Sequence, residues 1–326
     1  RKIYERAVSL GAVKAYIPLI SNALIGCESD NFASDYPRAV QFAMDLRETG
    51  ADPVTLIIVS QMLSDEGLRK YAKLIADLAE LAAEGGDSLP KAALALYYAQ
   101  GFGRKRDPKK ANQLLIEAGE NGSIRQKLQV ADTLLAGKKG FIQDVKTAVR
   151  FYEDAAMMGS PDGAASFGWC LAMGFGTVEN LEAGLRWLQK AIDEGSDRGR
   201  FYYGVLLSDG QKLKKDERKG EKLIREAAEN GLPNAAYRLS LDCFDKGLNK
   251  EAFDWRIRYY GLAEADESVN DIVTLLPEHG YDAEGHQLEF ILGVLLLAGE
   301  TGDPLALVML GDIYVTGAYG VRVNVK

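Results

Sequence analysis

Residues 154–159 read Asp-Ala-Ala-Met-Met-Gly, residues 190–195 read Lys-Ala-Ile-Asp-Glu-Gly and residues 226–231 read Glu-Ala-Ala-Glu-Asn-Gly. Two earlier stretches, Leu-Ala-Ala-Glu-Gly at 81–85 and Glu-Ala-Gly-Glu-Asn-Gly at 117–122, follow the same plan. Small residues, two polar or flexible ones and then glycine is how a helix ends on a left-handed cap, because glycine has no Cβ to clash there. Glycines stand at Gly50, Gly86, Gly122, Gly159, Gly195 and Gly231, with gaps of 36, 36, 37, 36 and 36, and Gly11 precedes Gly50 by 39. With 34 glycines in the chain the spacing alone proves little. The repeated context makes it a period, and a fixed period of this length marks a stacked repeat array.

Each period splits into two helices. In the one opening at Gly159, helix A is expected through Ala164 to Leu171 and closes at the turn Gly174-Phe175-Gly176. Helix B then starts after Asn180, a residue suited to the N-cap, and continues through Ala183, Trp187, Leu188 and Ala191. Asp144 caps a helix with Ala148, Phe151, Tyr152 and Ala155; Asp107-Pro108 opens one with Ala111, Leu114, Leu115 and Ala118. Pro108 suits the first helical position, whose N–H would be unpaired anyway. Upstream, a helix A is expected over Pro53 to Leu63. Apolar residues recur three and four apart, the helical period, and no stretch alternates long enough to demand a strand. The fold class is therefore all-α, antiparallel helix pairs stacked into a solenoid. Units are expected at about 11–49, 50–85, 86–121, 122–158, 159–194, 195–230 and 231–262, then an irregular stretch 263–301 and a partial unit 302–326. One such hairpin cannot bury both its faces, so each unit depends on its neighbours. Ala and Gly at the crossing of helices A and B let the axes approach to about 8–10 Å. Leu115, Tyr152 and Trp187 or Leu188 are expected to fill the space between units.

The pattern Ala-x-x-x-Leu-Gly-x-x-Tyr-x-x-Gly, then Asp-x-x-x-Ala-x-x-Trp/Tyr-x-x-x-Ala-Ala-x-x-Gly, resembles the Sel1-like repeat, a relative of the tetratricopeptide repeat. Ala306, Leu310, Gly311, Tyr314 and Gly317 form its cleanest half-copy; Gly168, Gly174, Gly204, Gly210 and Leu239 hold the same slots elsewhere. The resemblance is strong from about 86 to 247, weaker at 51–85 and poor at 262–302, where Pro277 and Gly280 interrupt the period. It implies a right-handed superhelix serving as a protein-interaction scaffold. Periplasmic scaffolds of bacterial alginate secretion show a similar arrangement of degenerate units.

Composition narrows the function. The 326 residues are 47% hydrophobic and 26% charged, ordinary for a folded chain. The longest apolar run, Phe290 to Gly299, is too short for a membrane span, which needs about 18 residues. A net charge of −8 disfavours a general nucleic-acid binder. Three cysteines build no disulfide framework, and Cys170 and Cys243 are expected roughly 20 Å apart on separate layers. His279 and His286 read as loop histidines without cysteines nearby. Gly101-Phe102-Gly103 and Gly174-Phe175-Gly176 lack the preceding strand of a phosphate loop. No nucleophile–base pair, metal set or cofactor motif emerges, so no catalysis is expected within these residues. Both ends fall inside a repeat, as in a fragment of a longer protein, and both periplasm and cytoplasm remain open.

Charge by position says more. In the turns from A to B, Arg104, Lys105, Arg106, Lys109 and Lys110 outweigh Asp107 by four; Lys138, Lys139 and Lys146 outweigh Asp144 by two; Lys212, Lys214, Lys215, Arg218 and Lys219 outweigh Asp216 and Glu217 by three. The B-to-A turns are acidic: Glu84 and Asp87, Glu117 and Glu120, Asp193, Glu194 and Asp197, Glu226 and Glu229. Lysines beside already positive helix N-termini are locally unfavourable, which points to an anionic partner, an acidic protein or an anionic polymer. Merely solvated turns are the alternative. A second surface is the groove expected along helix A: Ala93, Tyr97 and Gln100; Gln129, Thr133 and Ala136; Ser166, Cys170 and Met173; Tyr202, Leu206 and Asp209; Arg238, Asp242 and Asp245. The candidate partner-binding residues are Arg104, Lys105, Arg106, Lys138, Lys139, Lys214 and Lys215 on the edge, with Tyr97, Tyr202 and Arg238 as groove anchors. Three functions fit: an interaction scaffold, an assembly factor for export of an anionic exopolysaccharide such as alginate, and the interaction region of an enzyme whose catalytic domain lies elsewhere.

Overall fold

A computed structural model describes residues 2–25, 35–65, 69–248, 251, 252, 255, 258 and 259. The described residues contain fourteen α-helices and no strand: α1 (Lys2–Ser9), α2 (Tyr16–Ile25), α3 (Tyr36–Arg47), α4 (Pro53–Asp65), α5 (Ala72–Glu84), α6 (Ser88–Gln100), α7 (Pro108–Glu120), α8 (Ile124–Ala136), α9 (Val145–Met157), α10 (Pro161–Met173), α11 (Leu181–Asp193), α12 (Asp197–Asp209), α13 (Glu217–Glu229) and α14 (Pro233–Asp245). The architecture is all-α, helix hairpins stacked as a solenoid. The chain divides into two compact units, 1–199 and 200–326, and the division falls inside α12. In the first, α2 packs on α3, α4 on α5, α6 on α7, α8 on α9 and α10 on α11; α5 with α6, α7 with α8 and α9 with α10 join consecutive hairpins. In the second, α13 packs on α14. His279, His286, the half-copy from Ala306 and the units expected at 263–301 and 302–326 lie outside the described residues.

The A-to-B turns are built the same way four times. Asp107, Asp144, Asn180 and Asp216 each accept the N–H three residues on into their side chain, from Lys110, Thr147, Ala183 and Lys219. Their own backbone N–H groups donate back to helix A, to the carbonyls of Tyr98, Leu134, Leu171 and Leu207 at 2.8–3.0 Å. One short polar residue thus caps helix B and pins it to helix A.

The B-to-A turns follow the sequence reading with one exception. Gly159, Gly195 and Gly231 have φ of 87°, 91° and 98°, and the next residue donates to the carbonyl of Ala155, Ala191 or Ala227. This left-handed cap satisfies carbonyls that the helix end would otherwise strand. Gly122, expected to be the same, does not have a positive φ and lacks that bond. Its glycine is needed for room, since a Cβ there would sit 2.9 Å from both the Ala118 carbonyl and Gln126 Cβ. Ser123 and Gln126 form a reciprocal capping box instead. The carbonyls left over at the end of α7 are taken by Lys127, whose buried ammonium donates to Gly119 O at 2.9 Å and Glu120 O at 3.1 Å. A cation at a helix C-terminus also faces its negative end.

The core is small residues and a few large ones. Ala111, Ala148, Ala155, Ala165, Ala191 and Ala227 are fully buried, as are Phe151, Leu188 and Ile224. Trp187, expected to pack between repeats, lies edge-on to Phe167 of its own hairpin at 5.7 Å, and the adjacent Leu188 goes fully inside. The single 37-residue gap also has a location. From the glycine closing helix A to the cap of helix B the turn spans Gly101–Asp107, Gly174–Asn180 and Gly210–Asp216, but Gly137–Asp144 is one residue longer.

Candidate partner-binding edge

The A-to-B turns carry the candidate lysines on rigid supports. Gly103 lies so close over the carbonyl of Ala72, at the start of α5, that a side chain would not fit. Gly176 sits likewise on Val145 at the start of α9, and Gly140 on Ala99 near the end of α6. Asn112 of α7 holds the longer turn by two bonds, accepting from Ile142 N at 2.9 Å and donating to Ile142 O at 2.7 Å. Each turn is thereby seated on the hairpin before it.

Not all of the predicted cations are offered to solvent. Arg104 donates to Asp77 at 2.7 Å and to Glu80 at 2.6 Å, both on α5, and its side chain is only 15% exposed. Burial pulls the Arg104 pKa down, but the bonds to the two carboxylates more than offset it, so it stays charged and occupied. Arg106 donates its Nε to Ala99 O and Lys110 reaches the Tyr98 hydroxyl at 2.6 Å, but both stay exposed. The basic edge is therefore weaker than the turn's own charge count, since its acids sit on the preceding hairpin. Lys105, Lys138, Lys139 and Lys214 are exposed, as is Lys215, which pairs with Glu217 at 3.3 Å. Lys139 has a φ of 54°, the one positive value at a non-glycine among the described residues.

The groove reading needs correction. Tyr97 is buried, its ring 5.1 Å from Phe102 and its hydroxyl 3.4 Å from Ser60 Oγ of α4, the preceding helix A. Ser166, Cys170 and Leu206 on the same stripe are buried as well. A helix A is flanked by its own helix B and by the layers before and after. These positions of the stripe face a neighbouring layer, while Gln100, Gln129, Ala136, Asp209 and Asp245 on the same stripe are exposed. Tyr202 is half-buried with its ring 5.5 Å from Phe201. Arg238 donates to Asp209 at 2.7 Å and Asp242 at 2.9 Å; burial lowers its pKa, and these bonds raise it further than burial lowers it. Three of the ten candidates, Tyr97, Arg104 and Arg238, thus serve the chain's own packing.

Sequence reasoning missed the polar network on α8, α10 and α12. Arg198 makes a two-pronged contact with Asp132, both bonds 3.2 Å, and donates to Ser166 at 3.0 Å. Asp132 also accepts from the Tyr152 hydroxyl at 2.6 Å. Arg198 and Asp132 stand two hairpins apart, so no local pattern couples them. Also missed were exposed apolar side chains in the turns, Ile142, Phe175 and Val178. An apolar residue between Gly174 and Asn180, where nothing in the helix period requires one, was the available signal.

Two consequences can be measured. Glu117 and Glu120 are held below the usual glutamate range, first by hydrogen bonds from Lys91 and Arg150; Glu221 is held down by Lys246. A depressed folded-state pKa adds stability above the ordinary value of about 4.3 and loses it as pH falls through the folded value. Thermal melts should therefore weaken progressively below about pH 4.3, and Lys91→Ala with Arg150→Ala should flatten that slope. These pairs are partly exposed, so each should contribute only about 0.2–1 kcal/mol; a slope unchanged by the double variant would refute the assignment. Separately, burial pushes the Cys170 thiol up to about 11. In the native chain at pH 8, Cys170→Ser should leave the fast phase of thiol titration unaltered, whereas loss of a fast-reacting thiol would show that Cys170 is accessible.

Stacked 36-residue helix hairpins with capped, charged turns define a repeat scaffold, and the chain belongs to the Sel1 repeat family. The Sel1 repeat model matches residues 91–123, 128–160, 163–196, 198–232 and 304–326. Among solved structures, a Sel1 repeat protein from Oxalobacter formigenes is similar at 16% identity and a TM-score of 0.57, covering 96% of this chain and 89% of that one. A protective antigen of uropathogenic Escherichia coli strains with an SLR fold is similar at 18% identity and a TM-score of 0.53, covering 99% of this chain and 76% of that one. At these identities the likeness concerns the fold. No curated protein matches the chain. Sel1 repeats in general mediate protein interactions and are non-catalytic. Among the described residues no three His, Cys, Asp or Glu side chains group as metal ligands, and no helix is long and apolar enough to cross a membrane.

Proposed function

We propose that this chain is a non-enzymatic interaction scaffold whose partner presents acidic groups to the A-to-B edge. The observation that carries the reading is the exposed lysines of the A-to-B turns, found in each unit by itself: Lys105, Lys138 and Lys139 in residues 1–199, and Lys214 and Lys215 in residues 200–326. Lys105, Lys214 and Lys215 lie beside a helix N-terminus, where positive charge is unfavourable, whereas Lys138 and Lys139 follow the C-terminus of α8. Lys139 adds a backbone cost, because it holds a left-handed conformation that the shorter turns give to Gly103 and Gly176. That backbone cost at an exposed residue favours a functional use of this turn.

Rim lysines act chiefly on the encounter rate. Lys105→Glu, Lys138→Glu and Lys139→Glu together should slow association with a partner captured from the source cell and flatten its salt dependence, with melting little changed. Stopped-flow association at several salt concentrations measures this. A partner that binds the variant at an unaltered rate and salt slope would place its site elsewhere.

A further inference from the structure

The exposed apolar side chains lie on the same edge as the exposed lysines. Ile142 is 46% exposed, Phe175 45% and Val178 85%. Their order in space follows from the seating of the turns. Asn112 of α7 fixes Ile142 by both backbone groups. Gly176 rests on Val145, three residues after Ile142, so the turn bearing Phe175 and Val178 adjoins the turn bearing Ile142. Trp169 of α10 packs against the Phe175 ring at 6.4 Å and restrains it. Lys138 and Lys139 stand four and three residues before Ile142 on the longer turn, Lys146 follows at the start of α9, and Lys105 and Lys109 lie one hairpin back. In the chain, Glu179 follows Val178, and α11 then carries the Glu182–Arg186 pair. The edge within residues 1–199 thus sets exposed lysines beside exposed apolar side chains.

We infer that this edge, on the scaffold reading above, takes an extended segment of a partner protein in which a run of acidic residues adjoins a run of large apolar ones. The acidic run lies along Lys105, Lys138 and Lys139, and the apolar run covers Ile142, Phe175 and Val178. Charge complementarity sets one half of the occupant. An anionic polymer without apolar groups would leave the other half wet and gain nothing from it. Restrained aromatic surface is worth more in binding than mobile surface, because less side-chain freedom is lost. The extra residue of the turn 137–144 supports the same use, since it projects Lys138 and Lys139 at a backbone cost that a glycine would avoid.

The test uses the whole chain and fluorescence anisotropy with three probes: a labelled synthetic peptide with a block of Glu followed by a block of Leu and Phe, labelled poly-glutamate, and labelled alginate. The block peptide should bind tightest. Phe175→Ser with Val178→Ser should weaken the block peptide about ten-fold, or 1.4 kcal/mol, and leave poly-glutamate unchanged. Lys139→Gly should weaken both the block peptide and poly-glutamate without lowering the melting temperature. The inference is overturned if the block peptide binds no tighter than poly-glutamate or alginate, or if the serine pair leaves its affinity intact. If Lys138→Glu with Lys139→Glu changes neither peptide, the basic edge itself is wrong, and the scaffold proposal loses its site along with this one.

Discussion

Gly184→Val should cost stability at or beyond the upper end of the ~1–3 kcal/mol typical of overpacking, and unfold α10 and α11 first. A Cβ on Gly184 would lie 2.6 Å from Gly168 O and 2.7 Å from Ala172 N; one on Gly168 would lie 2.9 Å from Gly184 O. These are backbone atoms of the facing helix, which no rotamer change can move. The two axes must separate, and the close packing around the fully buried Ala172 and Leu188 is lost with them. Gly204→Val should act the same way in residues 200–326, where a Cβ would meet Gly220 O at 2.8 Å and Ile224 Cγ1 at 2.9 Å. Gly195→Ala is the control. Its φ is 91° but nothing lies within 4 Å of the added carbon, so only the left-handed conformation is penalised, by about 1–2 kcal/mol. Thermal and denaturant melts of the three variants measure the contrast. Equal effects of Gly184→Val and Gly195→Ala would mean the crossing is looser than described.

Phe151→Ala should cost about 3–5 kcal/mol, the range for deleting a buried aromatic ring. Phe151 is fully buried, and its ring edge fills the space where a Cβ on Gly119 would stand, beside Val130. It therefore touches α7 and α8 as well as its own helix. Arg150 and Lys127 lie over the ring at 4.7 Å and 5.5 Å, and Lys127 is the cation that caps α7. In a repeat array, stability is held partly at the interfaces between neighbours. Losing this ring should lower the midpoint and also broaden the transition, as hairpins on either side of α9 melt apart. Phe151→Leu should recover most of the loss. A sharp transition with an unchanged midpoint would show that the interface carries little of the coupling.

The period, the helix pairs and the caps were legible because each depends on residues close in sequence. A left-handed helix end needs glycine at Gly159 or Gly195 whatever lies around it, and an N-cap needs a short polar side chain such as Asp144 or Asn180. The site was legible only in part. Lys105, Lys138 and Lys139 are exposed as their turns suggested, but Arg104 is bound by Asp77 and Glu80 on the preceding hairpin. Charge counting within one turn does not reach that far. Tyr97 was misplaced for a similar reason: helical periodicity separates wet from dry faces, but a helix A packed among several others has more than one dry face.

What the sequence determined by itself is whatever a single hairpin decides alone: all-α class, a 36-residue period, where each helix begins and how most of them end. Gly122 marks the limit. Its place in the period suggested a left-handed cap, yet the buried ammonium of Lys127 takes the carbonyls of Gly119 and Glu120. The Arg198–Asp132 contact across two hairpins, the seating of Gly140 and Gly176 on earlier layers, and the apolar patch of Ile142, Phe175 and Val178 were all decided by stacking. Backbone caps are satisfied within a few residues by short, directional bonds. Which charges are neutralised and which apolar groups stay wet depends on surfaces that meet only when one hairpin lies against the next.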